Sequence, residues 1–288
     1  MKIAITSDIH YQQGWHTQIE RLAEMLRDDG VELMIMAGDT GEPLDMFSKG
    51  LEIFSVVCQK RAALTGNHDV WHRPFLLNSQ HTSQELWDTQ LKTVANAQGY
   101  TWLDYQNMVI DSLGICGTLA WYDYSGKSSA LDFSDDEYEQ MKPMISNDGR
   151  FITWGWTDRQ FAQKISAEFL ERLDALERDP KVTDILVVTH VPLFREATRY
   201  FEFPEQGVAD AYYANATLGE SVLTRKKVRA IVSGHVHRDT DLEVPTDHDH
   251  TIRAYTIPAD YGKPAAVVID TESWTRRIVR SVVEAIDE

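Results

Sequence analysis

One pattern recurs along the chain: a short apolar run that stops at a carboxylate, an amide or a histidine. Residues 2–7 alternate and turn into Asp8-Ile9-His10. Residues 32–37 are almost wholly apolar and end in Gly38-Asp39-Thr40-Gly41. A run near 61–64 ends in Thr65-Gly66-Asn67-His68-Asp69, residues 184–189 end in His190, and residues 229–233 end in Gly234-His235-Val236-His237. Between these runs the period changes to helical. Ile19, Leu22, Ala23, Met25 and Leu26 mark a helix over 16–29 that stops at Gly30. Further helices are predicted over about 45–57, between 79 and 98, and over 157–178, the last opened by a Thr157-x-x-Gln160 capping box. Strands alternating with helices predict a largely parallel sheet whose working edge is formed by the strand C-termini.

Other stretches read differently. Residues 101–119 predict two or three strands in a meander, and the remainder to 278 predicts three antiparallel strands, clearest at 253–257 and 265–269. Residues 123–156 are acidic, aromatic and irregular, and are expected to form an insertion covering a cleft within a single domain spanning 1–288. Residues 194–216 form a second aromatic loop. No repeat, low-complexity tract or linker interrupts the chain.

Composition narrows the class. A chain of 288 residues that is 43% hydrophobic, with eight Trp, can bury a sizeable core. No segment is apolar for long enough to span a bilayer. The N-terminus turns polar too soon for a signal peptide, and two Cys cannot build a disulfide framework, so a cytoplasmic location is expected. A net charge of −17 argues against gripping extended nucleic acid through a basic face. It leaves room for a phosphorylated small molecule, because bound ions dominate charge locally. Nothing in the pattern speaks to oligomeric state.

The polar strand ends carry the candidate chemistry. Asp8 and His10, two apart, are expected on one face of a strand end, where carboxylate and imidazole could chelate one ion. His235 and His237, two apart on an extended segment, are expected to face the same side and to serve one ion each. Gly66 should let the backbone bend tightly, Asn67 offers an amide oxygen to a cation, and His68 can carry a proton near neutral pH. Two carboxylates, four imidazoles and one amide suit two mid-row divalent ions such as Mn, Fe or Zn, whereas a Cys-based zinc cage is not supported. Several residues keep two readings. Asp69 either orients a neighbouring imidazole or caps its turn. Arg73, Arg195 and Arg199 either grip phosphate or lie on the surface. Thr40 and Gly41 line a substrate path or form a plain turn, and Trp121 and Tyr122 stack on a ligand ring or belong to the core. His248 and His250, alternating with Asp247 and Asp249, read better as a solvated turn than as a metal-scavenging tract.

Taken together, Asp8-x-His10, Gly38-Asp39, Gly66-Asn67-His68-Asp69, the lone His190 and Gly234-His235-x-His237 resemble, in that order, the calcineurin-like metallophosphoesterases. The resemblance spans residues 8–237. It implies an α/β fold, a four-layer α/β/β/α sandwich with two central mixed sheets. It implies one metal held by Asp8, His10, Asp39 and His237, and a second held by Asp39, Asn67, His190 and His235, the pair being divalent or of mixed valence. His68 would be the catalytic imidazole, donating to the leaving oxygen or gripping the phosphate. The expected reaction is P–O hydrolysis by metal-bound hydroxide on a phosphodiester or nucleotide-type substrate. A phosphomonoester or phosphoprotein substrate is the alternative, and a non-catalytic binding module on the same fold is a third reading.

Overall fold

The computed structural model describes residues 1–73, 80–198, 204–248 and 250–282. Two of the residues singled out above, Arg199 and Asp249, lie outside them. The strands are β1 (Lys2–Thr6), β2 (Leu33–Ala37), β3 (Lys60–Leu64), β4 (Thr101–Trp102), β5 (Met108–Ile110), β6 (Leu113–Thr118), β7 (Asp184–Thr189), β8 (Val228–Ser233), β9 (Thr240–Pro245), β10 (Thr251–Thr256), β11 (Ala265–Asp270) and β12 (Thr275–Arg280). They form two six-stranded sheets, ordered β12-β11-β1-β2-β3-β4 and β5-β6-β7-β8-β10-β9. Both sheets are mixed. β1 to β4 run parallel, as do β6, β7, β8 and β10, and antiparallel strands close the remaining edges.

Strand periodicity explains the layering. β2 is buried at all five positions, which requires cover on both faces. Leu33 and Ile35 join Ile3, Ile5 and Leu64, with Ile115, Leu186, Val188 and Val232 of the other sheet, in one cluster between the sheets. The alternate positions Met34, Met36, Ala4 and Val187 join a second cluster with helix residues such as Leu22, Leu26, Phe47, Phe169 and Leu173. The helices His16–Asp28, Leu44–Phe54 and Asp158–Arg178 therefore cover the outer faces, and the predicted sandwich of two mixed sheets between helices is the fold observed.

Four expectations change. The 101–119 meander is divided: β4 extends the first sheet in parallel beside β3, whereas β5 and β6 form a hairpin in the second. Asp104 makes the division possible. One of its oxygens accepts from the Thr65 amide and hydroxyl at 2.8 Å, and the other accepts from the Leu119 amide at 2.8 Å, which ties the ends of the two sheets together. The C-terminal region holds four strands rather than three, two in each sheet. The 123–156 segment is not wholly irregular. A Ser134–Glu137 capping box starts a helix at Asp135–Ile145, and a short helix follows at Asp148–Phe151. Lys142 turns inward from the first of these helices to pair with buried Asp158 beneath Trp121 and Tyr122. Finally, β1 ends at Thr6, so Asp8 and His10 stand in the loop beyond the strand. Among the described residues no helix is long and apolar enough to cross a membrane.

Candidate metal centre

Loops leaving β1, β2 and β3 of the first sheet and β7 and β8 of the second meet at one rim. The expectation of a single sheet edge gives way to two edges facing each other. The loop after β1 continues the strand pairing past its end: the amides of Asp8, His10 and Tyr11 donate to the carbonyls of Gly38, Asp39 and Thr40 at 3.1, 3.0 and 2.8 Å. The side chains converge through handedness rather than through strand alternation. Asp8, His10, Asp39, His235 and His237 all have left-handed backbones, with φ of 54°, 41°, 51°, 70° and 51°. They are five of the nine such non-glycine residues described. Left-handed backbone costs such residues energy, and it persists where the surroundings over-determine it, commonly at functional sites. Gly66 serves closeness rather than bending: a Cβ there would overlap the Asp39 amide and carboxylate. A Cβ on Gly234 would likewise overlap the Ser7 hydroxyl and the Asp8 carboxylate.

The arrangement has two sides that share Asp39. On one side, His237 Nε2 lies 3.3 Å from Asp8 Oδ1. Ligand atoms of Asp8, His10 and His237 all fall within 4.8 Å of one another. On the other, Asn67 Oδ1 lies 2.9 Å from His190 Nε2 and 3.1 Å from His235 Nδ1. Between them, Asp39 Oδ2 is 3.4 Å from His190 Nε2, 3.7 Å from His10 Nε2 and 3.9 Å from His68 Nε2. Neighbours fix the tautomers. His190 Nδ1 donates to the Ala37 carbonyl at 2.9 Å, and His235 Nε2 donates to the Tyr212 carbonyl at 3.0 Å, so the opposite nitrogens face inward.

These donors fit cations. His10 Nε2 is buried and has no hydrogen-bond partner. His235 Nδ1 and Asn67 Oδ1 both present lone pairs and face each other at 3.1 Å. The electrostatics point the same way. Burial opposes the Asp8 charge, yet His237 and His190 hold its pKa down at about 2. Burial also opposes the Asp39 charge, and His190 and His68 outweigh it to pull its pKa well below the usual carboxylate range. Burial drives His10 down to about 3 and, with help from His190, His235 down to about 4. Burial opposes charge on His190 and His237 as well, but Asp39 lifts the first to about 10 and Asp8 lifts the second to about 9. Buried carboxylates that draw positive charge from neighbouring imidazoles offer what a divalent ion would satisfy.

The remaining predicted residues fall into place unequally. His68 stacks on Trp71 with centroids 3.5 Å apart and meets the edge of His10 at 4.5 Å. Its amide donates to Asp39 Oδ1 at 2.8 Å, and its Nδ1 faces Glu42 Oε1 at 3.8 Å. Burial works against its charge, and Asp39 with Glu42 overcomes burial, so its pKa is raised. Asp69 orients no imidazole. Its carboxylate accepts from the amides of Thr40, Gly41 and Gly66 at 2.9, 3.1 and 2.8 Å, clamping the loop of Asp39 to the loop of Asn67. Thr40 and Gly41 are thereby structural. Arg73 lines the cleft, reaches Glu42 at 3.2 Å and lies over the rings of Trp71 and Phe151. Arg195 is exposed outside the cleft, and Trp121 and Tyr122 are fully buried core residues. His248 and His250 bond backbone carbonyls of the Thr224 and Val228 region, away from the rim.

The cleft has a volume of about 610 Å³ and is open to solvent. Among the cleft residues that carry no mark as candidates in the sequence, Glu42, Asp148, Asp260 and Tyr261 stand against the proposed ligands or His68. Glu42 carries a weak signal, a carboxylate three residues after Asp39. Asp260, 3.2 Å from His237 Nδ1, and Tyr261, stacked on His10 at 4.4 Å, come from a late loop with no chemical pattern. Asp148 comes from the 123–156 segment and donates no recognisable motif either.

Comparison with known proteins matches this architecture. No curated protein matches the sequence. Among solved structures, phosphopantetheinyl hydrolase from Mycobacterium tuberculosis is similar with a TM-score of 0.70 at 17% identity, covering 91% of this chain and 90% of that one. A Thermus thermophilus protein follows with a TM-score of 0.56 at 10% identity, covering 98% and 99%. A dimetal phosphatase from Danio rerio has a TM-score of 0.52 at 15% identity, covering 98% of each. At these identities the likeness establishes the fold. The family model described as calcineurin-like phosphoesterase matches residues 1–239, which contain all five of the converging loops, and the chain belongs to that family.

Proposed function

We propose that the protein is a dinuclear-metal phosphodiesterase acting on a small, nucleotide-type substrate. The observation that carries the reading is the position of Asp39. A single buried carboxylate oxygen lies within 3.4–3.9 Å of three imidazoles, at the junction of both donor sets. Asp8, His10, Asp39 and His237 would hold one ion, and Asp39, Asn67, His190 and His235 the other. Bound there, two divalent ions would acidify water and stabilise charge on attacking and leaving oxygens.

The chain's own residues supply the rest. His68 stands at the cleft wall with Nε2 toward the shared carboxylate and Nδ1 toward Glu42, a pose that suits proton donation to a leaving oxygen. Glu42 and the Trp71 face set that ring's orientation. Arg73, flattened over Trp71 and Phe151, presents a guanidinium to the same cleft and is suited to a second phosphoryl or carboxylate group. The volume exceeds what a lone phosphate needs, and the acidic chain disfavours a long polyanion.

An assay panel tests the substrate class: bis- and mono-nitrophenyl phosphate, cyclic nucleotides, dinucleotides and, prompted by the Mycobacterium tuberculosis neighbour's name, a phosphopantetheinyl conjugate. With Mn²⁺ loaded, diesters should turn over faster than monoesters. Turnover of monoesters alone would move the assignment to a phosphatase. Two bound metals without turnover of any ester would indicate a binding module.

A further inference from the structure

Asn67 can serve as a metal ligand only if its amide is the right way round. The two ends of a carboxamide have the same shape, and only hydrogen bonding distinguishes them. Here Asn67 Nδ2 donates to Asp148 Oδ1 at 2.9 Å, which turns Oδ1 toward His190 and His235. Asp148 is 2% exposed and is itself held from two more directions: Trp71 Nε1 donates to its Oδ1 at 2.7 Å and the Tyr122 hydroxyl donates to its Oδ2 at 2.9 Å. Its backbone is seated equally firmly. The carbonyl of Phe151, at the other end of the same short helix, accepts from the His72 amide at 2.7 Å. Gly149 lets that helix close on the preceding one, since a Cβ there would sit 2.6 Å from the Pro143 nitrogen.

We propose that Asp148 is a positioning residue for one of the two metal sites: it locks the Asn67 amide in its ligating orientation. The 123–156 segment is then part of the metal centre, not merely a cover over it. The inference rests on the proposed ligand role of Asn67, eighty-one residues away in sequence. An acceptor at position 148 is required, while a negative charge is not. Asparagine in its place keeps an oxygen for Asn67 and Trp71 and turns its NH₂ toward the Tyr122 oxygen. Leucine leaves the amide free to rotate its NH₂ into the site.

Metal titration of the full-length protein with Mn²⁺, read by calorimetry and by elemental analysis after gel filtration, tests this directly. The wild type should hold two equivalents. Asp148→Leu should keep one tightly and bind the other about 10–100-fold more weakly, the range seen when a partner of a metal ligand is removed. Asp148→Asn should restore the second site. If leucine prevents folding, Asp148→Ser, too short to reach Asn67, should show the same selective loss. Two unweakened sites in Asp148→Leu or Asp148→Ser would overturn the proposal, as would an Asp148→Asn variant as defective as either. A wild type that binds no metal would instead sink the ligand assignment on which the inference stands.

Discussion

The two sides of the metal centre are supported by different means. Each side has a carboxylate against an imidazole, Asp8 at His237 and Asp39 at His190, but beside Asp8, His10 and His237 a second carboxylate, Asp260, faces the outer nitrogen of His237, and Tyr261 stacks on His10. Beside Asn67, His190 and His235 the outer backing is neutral backbone, the carbonyls of Ala37 and Tyr212, plus one carboxylate that touches an amide rather than an imidazole. We propose that the first side draws its cation with the help of that outer carboxylate, Asp260. The second depends on orientation, which must be imposed from segments distant in sequence. Loss of charge and loss of orientation should fail differently, and variants can separate them.

The largest effect is expected where the sides meet. Asp39→Ala should lose both metals, because in the proposed centre one carboxylate would serve both; elemental analysis that still finds two equivalents would break the comparison at its root. His68→Ala should keep both metals and lose about 10²–10⁴-fold in kcat on an ester with a poor leaving group, with a smaller loss on a nitrophenyl ester. Equal losses on the two substrates would remove His68 from the donor role. Asp260→Ala should weaken the charged side alone, by about tenfold in metal affinity, and leave the Asn67 side untouched. A competition titration resolving the two sites would show whether the loss stays on that side.

The smallest effect concerns pH. Asp210, two residues before the Tyr212 carbonyl that orients His235, is 8% exposed and has an unpartnered oxygen, and burial raises its pKa to about 6. The folded protein therefore favours the neutral acid. Its contribution to stability is present below the ordinary carboxylate pKa near 4 and is lost as pH rises through about 6. Asp210→Asn should remove that dependence and stabilise the fold modestly above pH 6. Thermal melts between pH 4 and 8 should run flatter for the variant; parallel curves would show that Asp210 does not titrate in that window.

The molecule's letters reveal these parts unequally. The candidate ligands are legible because each stands just past an apolar run, and β2 and β7 are legible because both of their faces are covered. Residues 101–119 mislead because a two-residue strand carries almost no pattern, while Asp104, which divides the region between sheets, acts through backbone amides far away in the chain. The helix at Asp135–Ile145 hides for a related reason: it buries only Tyr138 and Lys142, so no apolar stripe marks it. Glu42, Asp148, Asp260 and Tyr261 owe their importance to what they touch, and contact across distant segments leaves no local trace. The i, i+2 spacing of Asp8 and His10 suggests strand alternation, whereas left-handed turns bring those side chains to the rim.

That handedness limits what could be transplanted. Copying the ligand residues onto the strand ends of some other parallel sheet would not copy the centre, since loops in ordinary extended or right-handed conformations would aim the same side chains elsewhere. A designer would need the glycines that let neighbouring loops press together, and the rungs that zip residues 8–11 onto 38–40, before any of the five acids and imidazoles found its bearing.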